Sequence, residues 1–259
     1  MKRYHFIFCR NGIMLERLAD GTYAVPRGEE PPADLPPVSN VICVTAPDGA
    51  EAAAWRVQDS PDGGGRYELC DLRQSYYRLP YTLYKLAGKC RELVYWDENS
   101  RFCGACGAGM KMHTSISKIC SKCGKEVWPQ LSPAVIVLVH RGKDVLLVHA
   151  KNFRGSFFGL VAGFVETGET LEEAVHREVM EETGLEIKNL RYFGSQPWPY
   201  PCGLMIGFNA DYAGGTLRLQ KSELSAGAWF GIDDMPQMPE KLSIARRLID
   251  AWLDEASAK

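Results

Sequence analysis

The sequence predicts an α/β protein, a sandwich of sheets and helices, and three observations carry that expectation. Two runs rich in Val, Leu and Ile, SPAVIVLVH and DVLLVHA, read as buried strands. A helix-compatible stretch follows at Thr170 to Gly184, and strand-like runs resume after it, which is the order that covers sheets with helices. At 259 residues the chain has room for two compact units, or for one and a small module.

Taken in order, residues 1–98 form an expected N-terminal α+β domain. The strand-like runs YHFIFC and VICVTA are divided by the loop RGEEPPADLPP, a turn-rich SPDGGG spans Ser60 to Gly65, and LPYTLYKLAGKCRELVYW closes the region as a helix. No catalytic motif emerges there from spacing, so packing, substrate enclosure or dimer contact is its expected role. Residues 99–128 hold a cysteine module, and residues 129–259 form the last domain. In it FFGLVAGFVE adds a third strand interrupted by glycines, followed by the acidic helix, by strand-like NLRYFGSQ, LMIGFNADY and GAWFG, and by an amphipathic helix from Ile244 to Leu253. No internal repeat and no low-complexity tract is visible.

Composition excludes some function classes. A hydrophobic fraction of 46% with 24% charged residues is globular, and a net charge of -2 offers no bulk attraction to nucleic acid or anionic membrane. No apolar run approaches the roughly 20 residues that span a bilayer. The N-terminal MKRYHFIFCRNG has too short an apolar run, and no cleavage-like small residues, for a signal peptide. A soluble, cytoplasmic protein without membrane contact is expected.

Nine cysteines are distributed unevenly. Cys9, Cys43, Cys70, Cys90 and Cys202 stand singly and read as small hydrophobes. Cys103, Cys106, Cys120 and Cys123 form C-x2-C-x13-C-x2-C, each pair followed by glycine. Two residues between thiolates let a tight turn aim both sulfurs at one point, and two such turns complete a tetrahedral Zn²⁺ site. A closed four-thiolate site leaves no position for water, so this metal is a structural staple. Lys111, Lys118, Lys122 and Lys125 lie nearby and read as a solvated face.

The acidic helix raises a different question. Thr170 and Glu173 form a capping box, and Gly184 is a natural stop. At about 100° per residue, Glu178 projects between Leu171 and Ala174, Glu182 close to Val175 and Glu181 close to Ala174, so the three carboxylates share the apolar side. Carboxylates facing the protein body repel one another and lose hydration, and something cationic must compensate. Arg177 is one candidate, pairing with Glu169 and leaving Glu178, Glu181 and Glu182 for a divalent metal. Hard oxygen ligands of this kind suit Mg²⁺ or Mn²⁺. No histidine is assigned a role: His140 and His149 end apolar strands, His176 lies away from the glutamates, and His5 and His113 have no partner at ligand spacing.

The full span GFVETGETLEEAVHREVMEETGL, beginning at Gly163, resembles the signature of the Nudix hydrolase superfamily at every specified position, G-x5-E-x7-R-E-U-x-E-E-x-G-U with U bulky aliphatic. The resemblance implies a Nudix α/β/α sandwich, here preceded by a zinc ribbon and the N-terminal α+β domain. It implies metal-assisted hydrolysis of a nucleoside diphosphate linked to another group, with Glu178, Glu181 and Glu182 as the catalytic and metal-binding carboxylates. Glu169 and Arg177 would hold the loop to the helix. By the same resemblance the carbonyl of Ala162 and the side chain of Glu223 complete the Mg²⁺ or Mn²⁺ shell, although Glu223 alone reads as a surface residue.

Beyond the box, Ser195 to Pro201 spell SQPWPYP, which closely resembles the SQPWPFP segment marking the NADH pyrophosphatase (NudC) subfamily. The four-cysteine ribbon ahead of the catalytic domain is a second subfamily feature. Together they imply cleavage of NADH or NAD⁺ to AMP and (reduced) nicotinamide mononucleotide, removal of NAD caps from RNA 5′ ends as a further activity, and a homodimer. Gln196, Pro197, Trp198, Pro199, Tyr200 and Pro201 then become substrate-contact candidates, with Ala245 contacting through its main chain. Phe164, Trp198, Tyr200 and Trp128 are the aromatics able to stack on a flat base, Trp128 and Phe164 being equally compatible with a core. Arg73, in DLRQ, is a candidate phosphate contact. Two departures stand out: Tyr200 where Phe is usual, and Cys202-Gly203 where relatives carry a polar residue and then Ser. Two other readings stay open, a Nudix hydrolase of another substrate such as ADP-ribose or a dinucleotide polyphosphate, and a non-catalytic nucleotide sensor or zinc-ribbon RNA-binding protein.

Overall fold

Aromatic and β-branched residues run together at the start of the chain, and the backbone there is extended. The computed structural model describes residues 2–32, 36–59, 65–153 and 155–257. The predicted turn at Ser60 to Gly65, apart from Gly65, lies outside the described residues, as do residues 33–35 of the predicted loop. Strand β1 (Arg3–Cys9) turns at Arg10 and Asn11 into β2 (Gly12–Arg17), followed by β3 (Tyr23–Ala24), β4 (Arg27–Gly28), β5 (Ile42–Thr45), β6 (Glu51–Arg56) and β7 (Tyr67–Asp71). A 3-10 turn at Gln74–Tyr77 leads to helix α1 (Tyr81–Asn99). The sequence reading marks β1, β5 and α1 but passes over β2, β6 and β7.

The ribbon follows as three short strands, β8 (Met110–Thr114), β9 (Ser117–Cys120) and β10 (Glu126–Val127), in the order β10-β9-β8. The remaining chain forms β11 (Ser132–Arg141), β12 (Asp144–Ala150), β13 (Val161–Phe164), α2 (Leu171–Thr183), β14 (Leu185–Trp198), β15 (Gly203–Gly215), β16 (Leu224–Gly231) and α3 (Ile244–Ser257). The predicted third strand shrinks to VAGF, because the preceding FFGL pairs only through a bridge from Gly159 to Val148.

The chain divides into two compact units, Met1–Gln130 with Pro199–Cys202, and Leu131–Trp198 with Gly203–Lys259. In the first, α1 covers one sheet face and buries Ala87, Cys90 and Val94 against Phe6, Phe8, Ile13 and Leu15, while Ile7, Met14 and Trp55 pack on the opposite face. In the second, both faces of the sheet are covered. Strand β11 shows why: Val135, Val137 and Val139 join Ala174, Val175 and Val179 of α2, whereas Ile136 and Leu138 join Leu248 and Ile249 of α3. A strand whose alternate side chains enter two cores reads as a continuous apolar run, as SPAVIVLVH does.

The two sheets repeat one topology. The first runs β2-β1-β6-β5 with β1 and β6 parallel, β4 paired to β1 and β7 paired to β2. The second runs β12-β11-β15-β14 with β11 and β15 parallel, β13 paired to β11 and β16 paired to β12. Each ends in a helix, α1 or α3. This corrects the expectation of no internal repeat: backbone pairing repeats where residue identities do not. The units differ between the fourth and fifth of these positions, where the second inserts α2 and the described residues of 29–41 form no helix.

Lys118 is a second correction. It is fully buried, not solvated, and its Nζ lies 2.8 Å from Asp97 Oδ1 and donates to the carbonyls of Asp97 at 2.7 Å and Ser100 at 3.3 Å. The ammonium also lies 5.4 Å from the Trp96 ring centre, and Asn40 donates its side-chain amide to the same Asp97 carboxylate at 2.8 Å. One ion pair thus ties β9 of the ribbon to the end of α1. Removing one partner of a buried pair strands the other charge, so Lys118→Met is expected to destabilise the first unit by about 3 kcal/mol or more. Urea unfolding followed by Trp96 fluorescence reads this, and an unchanged midpoint would show that the pair holds nothing together.

Candidate active site

The second unit builds its charged site on β13 and α2. Thr170 caps the helix: its hydroxyl accepts from the Glu173 N–H at 3.2 Å while the Glu173 carboxylate accepts from the Thr170 N–H at 2.7 Å. At the other end Gly184 adopts φ 68°, the left-handed conformation glycine supplies freely, and its N–H bonds to the Met180 carbonyl. Between these caps the helix lays Glu178 directly against β13. A Cβ at Gly163 would lie 2.0 Å from the Glu178 carboxyl carbon, so only glycine admits the carboxylate there.

Glu178 and Glu182 are buried, 9% and 5% exposed, as the apolar-side reading expects. Glu181 is not: its side chain is 53% exposed, which corrects the expectation that all three face the protein body. One turn of helix separates Glu178 from Glu182, and Glu181 falls at the rim. Burial raises the Glu182 pKa to about 8, with Glu178, Glu223 and Glu181 adding to it in that order. Burial also raises Glu178, opposed by a hydrogen bond from Arg177. Glu223 is exposed, at the start of the segment that enters β16, and its carbonyl accepts from the Lys151 N–H at 2.8 Å.

Arg177 does more than pair with Glu169. Its guanidinium donates to Glu169 at 3.0 Å, Glu178 at 2.8 Å, Glu181 at 3.1 Å and the Phe164 carbonyl at 2.9 Å. Glu169 in turn accepts from the Glu166 N–H at 2.9 Å, and the Arg177 bond is the main reason its pKa falls to about 2. One side chain therefore fastens residues 164–169 to the helix while partly neutralising two of the three later glutamates. Among the described residues Glu182 receives no such offset. Hard, buried carboxylate oxygens in excess of cations fit a divalent metal.

The other candidates fall in both units. In the second, Ala162 and Phe164 lie on β13, with Phe164 exposed and so not core, and Ala245 is buried in the first turn of α3. Gln196, Pro197 and Trp198 end β14; Gln196 is buried, donates to the Leu242 carbonyl at 2.8 Å, and leaves its Oε1 without a hydrogen-bond partner. The first unit holds Arg73, exposed Trp128, and Pro199, Tyr200 and Pro201. Pro199 packs on Gly88 of α1, where a Cβ would come within 3.0 Å of its Cγ. The Tyr200 hydroxyl lies 3.1 Å from the Tyr84 hydroxyl, so the group added relative to Phe has a protein partner. Among the histidines, His140 pairs with Asp211 at 3.0 Å, and His149 bridges Ser225 at 2.7 Å and the Gly155 carbonyl at 2.8 Å.

The four cysteines converge. Among the described residues they are the metal-sized group, with all four sulfurs within 4.8 Å of one another, including Cys103 to Cys123 at 3.6 Å and Cys106 to Cys120 at 3.5 Å. Four sulfurs about 2.3 Å from a tetrahedral centre stand about 3.8 Å apart. N–H groups of Cys123 and Lys122 point at Cys120 Sγ, both at 3.4 Å, and hold that thiol down at about 6. The box glutamates are not gathered so tightly, as mutual repulsion requires.

Comparisons with known proteins bear on the family. A model described as NUDIX domain matches residues 130–253, and one described as NADH pyrophosphatase-like rudimentary NUDIX domain matches residues 2–96. The second match falls on the sheet that repeats the topology of the first. The chain is 46% identical over 169 residues to the NAD-capped RNA hydrolase NudC of Pectobacterium atrosepticum, covering 65% of this chain and 65% of that protein, just under two thirds of its length. It is 41% identical over 208 residues to the NAD-capped RNA hydrolase NudC of Mannheimia succiniciproducens, covering 77% of each. A NUDIX hydrolase from Nitrosomonas europaea is similar in structure over 60% of this chain and 91% of that one, with TM-score 0.49 and 20% identity.

Two outcomes follow from the site. Gly163→Ala displaces the Glu178 carboxylate and is expected to weaken Mn²⁺ binding by about tenfold or more, measured by calorimetry; unchanged affinity would show that Glu178 does not bind metal from this position. The second concerns pH. A carboxyl whose folded pKa lies near 8, above the ordinary 4.5, adds stability below pH 4.5 that is lost as pH rises toward 8. Glu182→Gln, which cannot ionise, should therefore melt higher than wild type at pH 8–9 by roughly 1–3 kcal/mol after allowance for solvent screening, with the gap closing near pH 5. A gap independent of pH, read by calorimetry without added divalent metal, would refute the burial argument.

Proposed function

The chain belongs to the Nudix hydrolase family, in its NADH pyrophosphatase-like branch, and we propose that it hydrolyses the diphosphate bond of NADH and NAD⁺ to AMP and (reduced) nicotinamide mononucleotide. We extend the reading to NAD caps on RNA 5′ ends, the substrate named for its relatives. The observation that carries it is the pair of buried carboxylates, Glu178 against β13 and Glu182 one turn on, with a single arginine shared among four acceptors.

A diphosphate presents negative oxygens that repel a nucleophile. Mg²⁺ or Mn²⁺ held by Glu178, Glu182, Glu223 and the Ala162 carbonyl would neutralise that charge and acidify the attacking water. Glu181, half exposed at the rim, would assist as a further ligand or take the proton from the attacking water. Arg177 keeps the residue 164–169 loop and Glu178 in register through the reaction. Gln196 offers its unpartnered Oε1 to an N–H donor on the base, which relieves a buried unsatisfied acceptor. Trp198, Phe164, Tyr200 and Trp128 are the stacking candidates, Ala245 contributes its main chain, and Arg73 a phosphate contact. Pro197, Pro199 and Pro201 stiffen the motif.

The four thiolates hold Zn²⁺ as a staple of the first unit. A cytoplasmic homodimer completes the reading: four thiolates gathered for a metal suit a reducing compartment, and the family resemblance supports the dimer.

The test is NADH, ADP-ribose and NAD-capped RNA offered with Mn²⁺ or Mg²⁺, with products resolved by chromatography. Wild type is expected to release AMP and reduced nicotinamide mononucleotide, and Glu182→Gln to lose about 10²-fold or more in kcat. Faster cleavage of ADP-ribose than of either NAD substrate would move the assignment to another Nudix activity. NADH binding without turnover would make the protein a sensor.

A further inference from the structure

The first unit carries a second charged feature that the reaction above does not use. A cleft of about 430 Å³ opens where the β1–β2 turn, the end of β6 and the C-terminal half of α1 meet, and four arginines line it: Arg10, Arg56, Arg91 and Arg101. Glu98 is the single acid among its lining residues, and Tyr95 supplies a ring. In a chain of net charge -2, this is a local concentration of positive charge that bulk composition does not produce.

Its internal pairing leaves the cations in excess. Glu98 is bonded to Arg56 through Nε, and its carbonyl accepts from Arg101 Nε at 3.2 Å. Arg91 Nη1 is buried with no hydrogen-bond partner, and its guanidinium stands 6.0 Å from the centre of the Tyr95 ring. Burial works against the charged form of Arg91; Glu98 opposes that and Arg56 adds to it. A buried guanidinium N–H without an acceptor costs free energy unless a ligand meets it. The volume is in the range of small-ligand sites. Guanidinium forks match phosphate oxygens in pairs, and a ring bearing an arginine is a platform for a base.

We propose that this cleft is a binding site for phosphate esters of the nucleotide class, taking phosphate between the arginines and the base against Tyr95. The phosphate belongs either to a free nucleotide or to a single-stranded polynucleotide backbone. None of its lining residues is among those assigned to the hydrolysis proposed above.

The experiment is calorimetric titration of the full-length protein, zinc retained and no divalent cation added, with AMP and with an uncapped 5′-phosphorylated pentaribonucleotide. Arg10 and Arg101 are exposed, so Arg10→Glu with Arg101→Glu reverses charge at the rim without opening the core. Arg91→Gln tests the orphan N–H, with a thermal melt to confirm folding. Each variant is expected to bind at least about tenfold more weakly than wild type, while NADH turnover by the double variant stays at the wild-type rate. If the oligonucleotide binds more tightly than AMP, with a salt dependence that the double variant flattens, the backbone is the ligand. Equal affinity for the two makes it a free nucleotide. Wild type binding neither probe, or the double variant binding both as wild type does, overturns the proposal.

Discussion

Glu178 lies so close to the backbone of Gly163 that any side chain at that position would overlap it, and the candidate site follows from that contact. Pressing a helix carboxylate onto a strand removes it from water. The cost is met in part by Arg177, which is bonded to Glu169, Glu178, Glu181 and the Phe164 carbonyl together. The same bonds fix the loop between β13 and α2, so local structure and electrostatics have one origin. Glu182, one turn on, has burial and three like charges acting on it in the same direction. The fold tolerates this because the helix is capped at both ends and buries Ala174, Val175 and Val179 on the same side.

The repeated sheet separates scaffold from chemistry. Both units run a hairpin, a parallel crossover pair, an antiparallel partner and a closing helix in the same order. Only the second carries α2 between its β13 and β14, and the box glutamates sit on that helix. The shared topology therefore does not by itself specify the charged site, in keeping with the rule that function lives in sites placed on folds. The first unit has used the same framework differently, seating the thiolate ribbon at the end of α1 through Lys118 and Asp97 and lining a cleft with arginines.

Much of this was legible in the sequence, and the exceptions share a cause. The capping box, the Gly184 stop, the four-cysteine spacing and the two buried strands depend on neighbours along the chain, and each appears in the structure where local pattern places it. The repeat was invisible because strand order is fixed by pairing between distant segments, and β2, β6 and β7 lack the long apolar runs that mark β11 and β12. Helical spacing put Glu181 on the apolar side, but that side ends within one residue of it. Lys118 was read as solvated because its partner Asp97 lies in another element. The Tyr200 hydroxyl finds Tyr84 across 116 positions of sequence, a separation at which no periodicity operates.

Three ionic groups, Lys118 and Glu182 buried and Arg91 half-buried, show how burial divides structure from function. Lys118 has a carboxylate and two carbonyls within hydrogen-bonding distance, so its charge is satisfied and it acts as a staple. Among the described residues Glu182 has like charges and no compensating cation, and Arg91 has an N–H with no acceptor. Desolvation penalises all three groups, but only the first recovers the loss within the protein. In the proposed reading the missing interaction comes from a ligand, and its sign follows from the group: a cation at Glu182, an anion at Arg91. In the proposed reading that difference in sign gives the two sites different ligand atoms, metal at the box and phosphate oxygen in the cleft, even where a single nucleotide-class molecule could in chemical terms visit either.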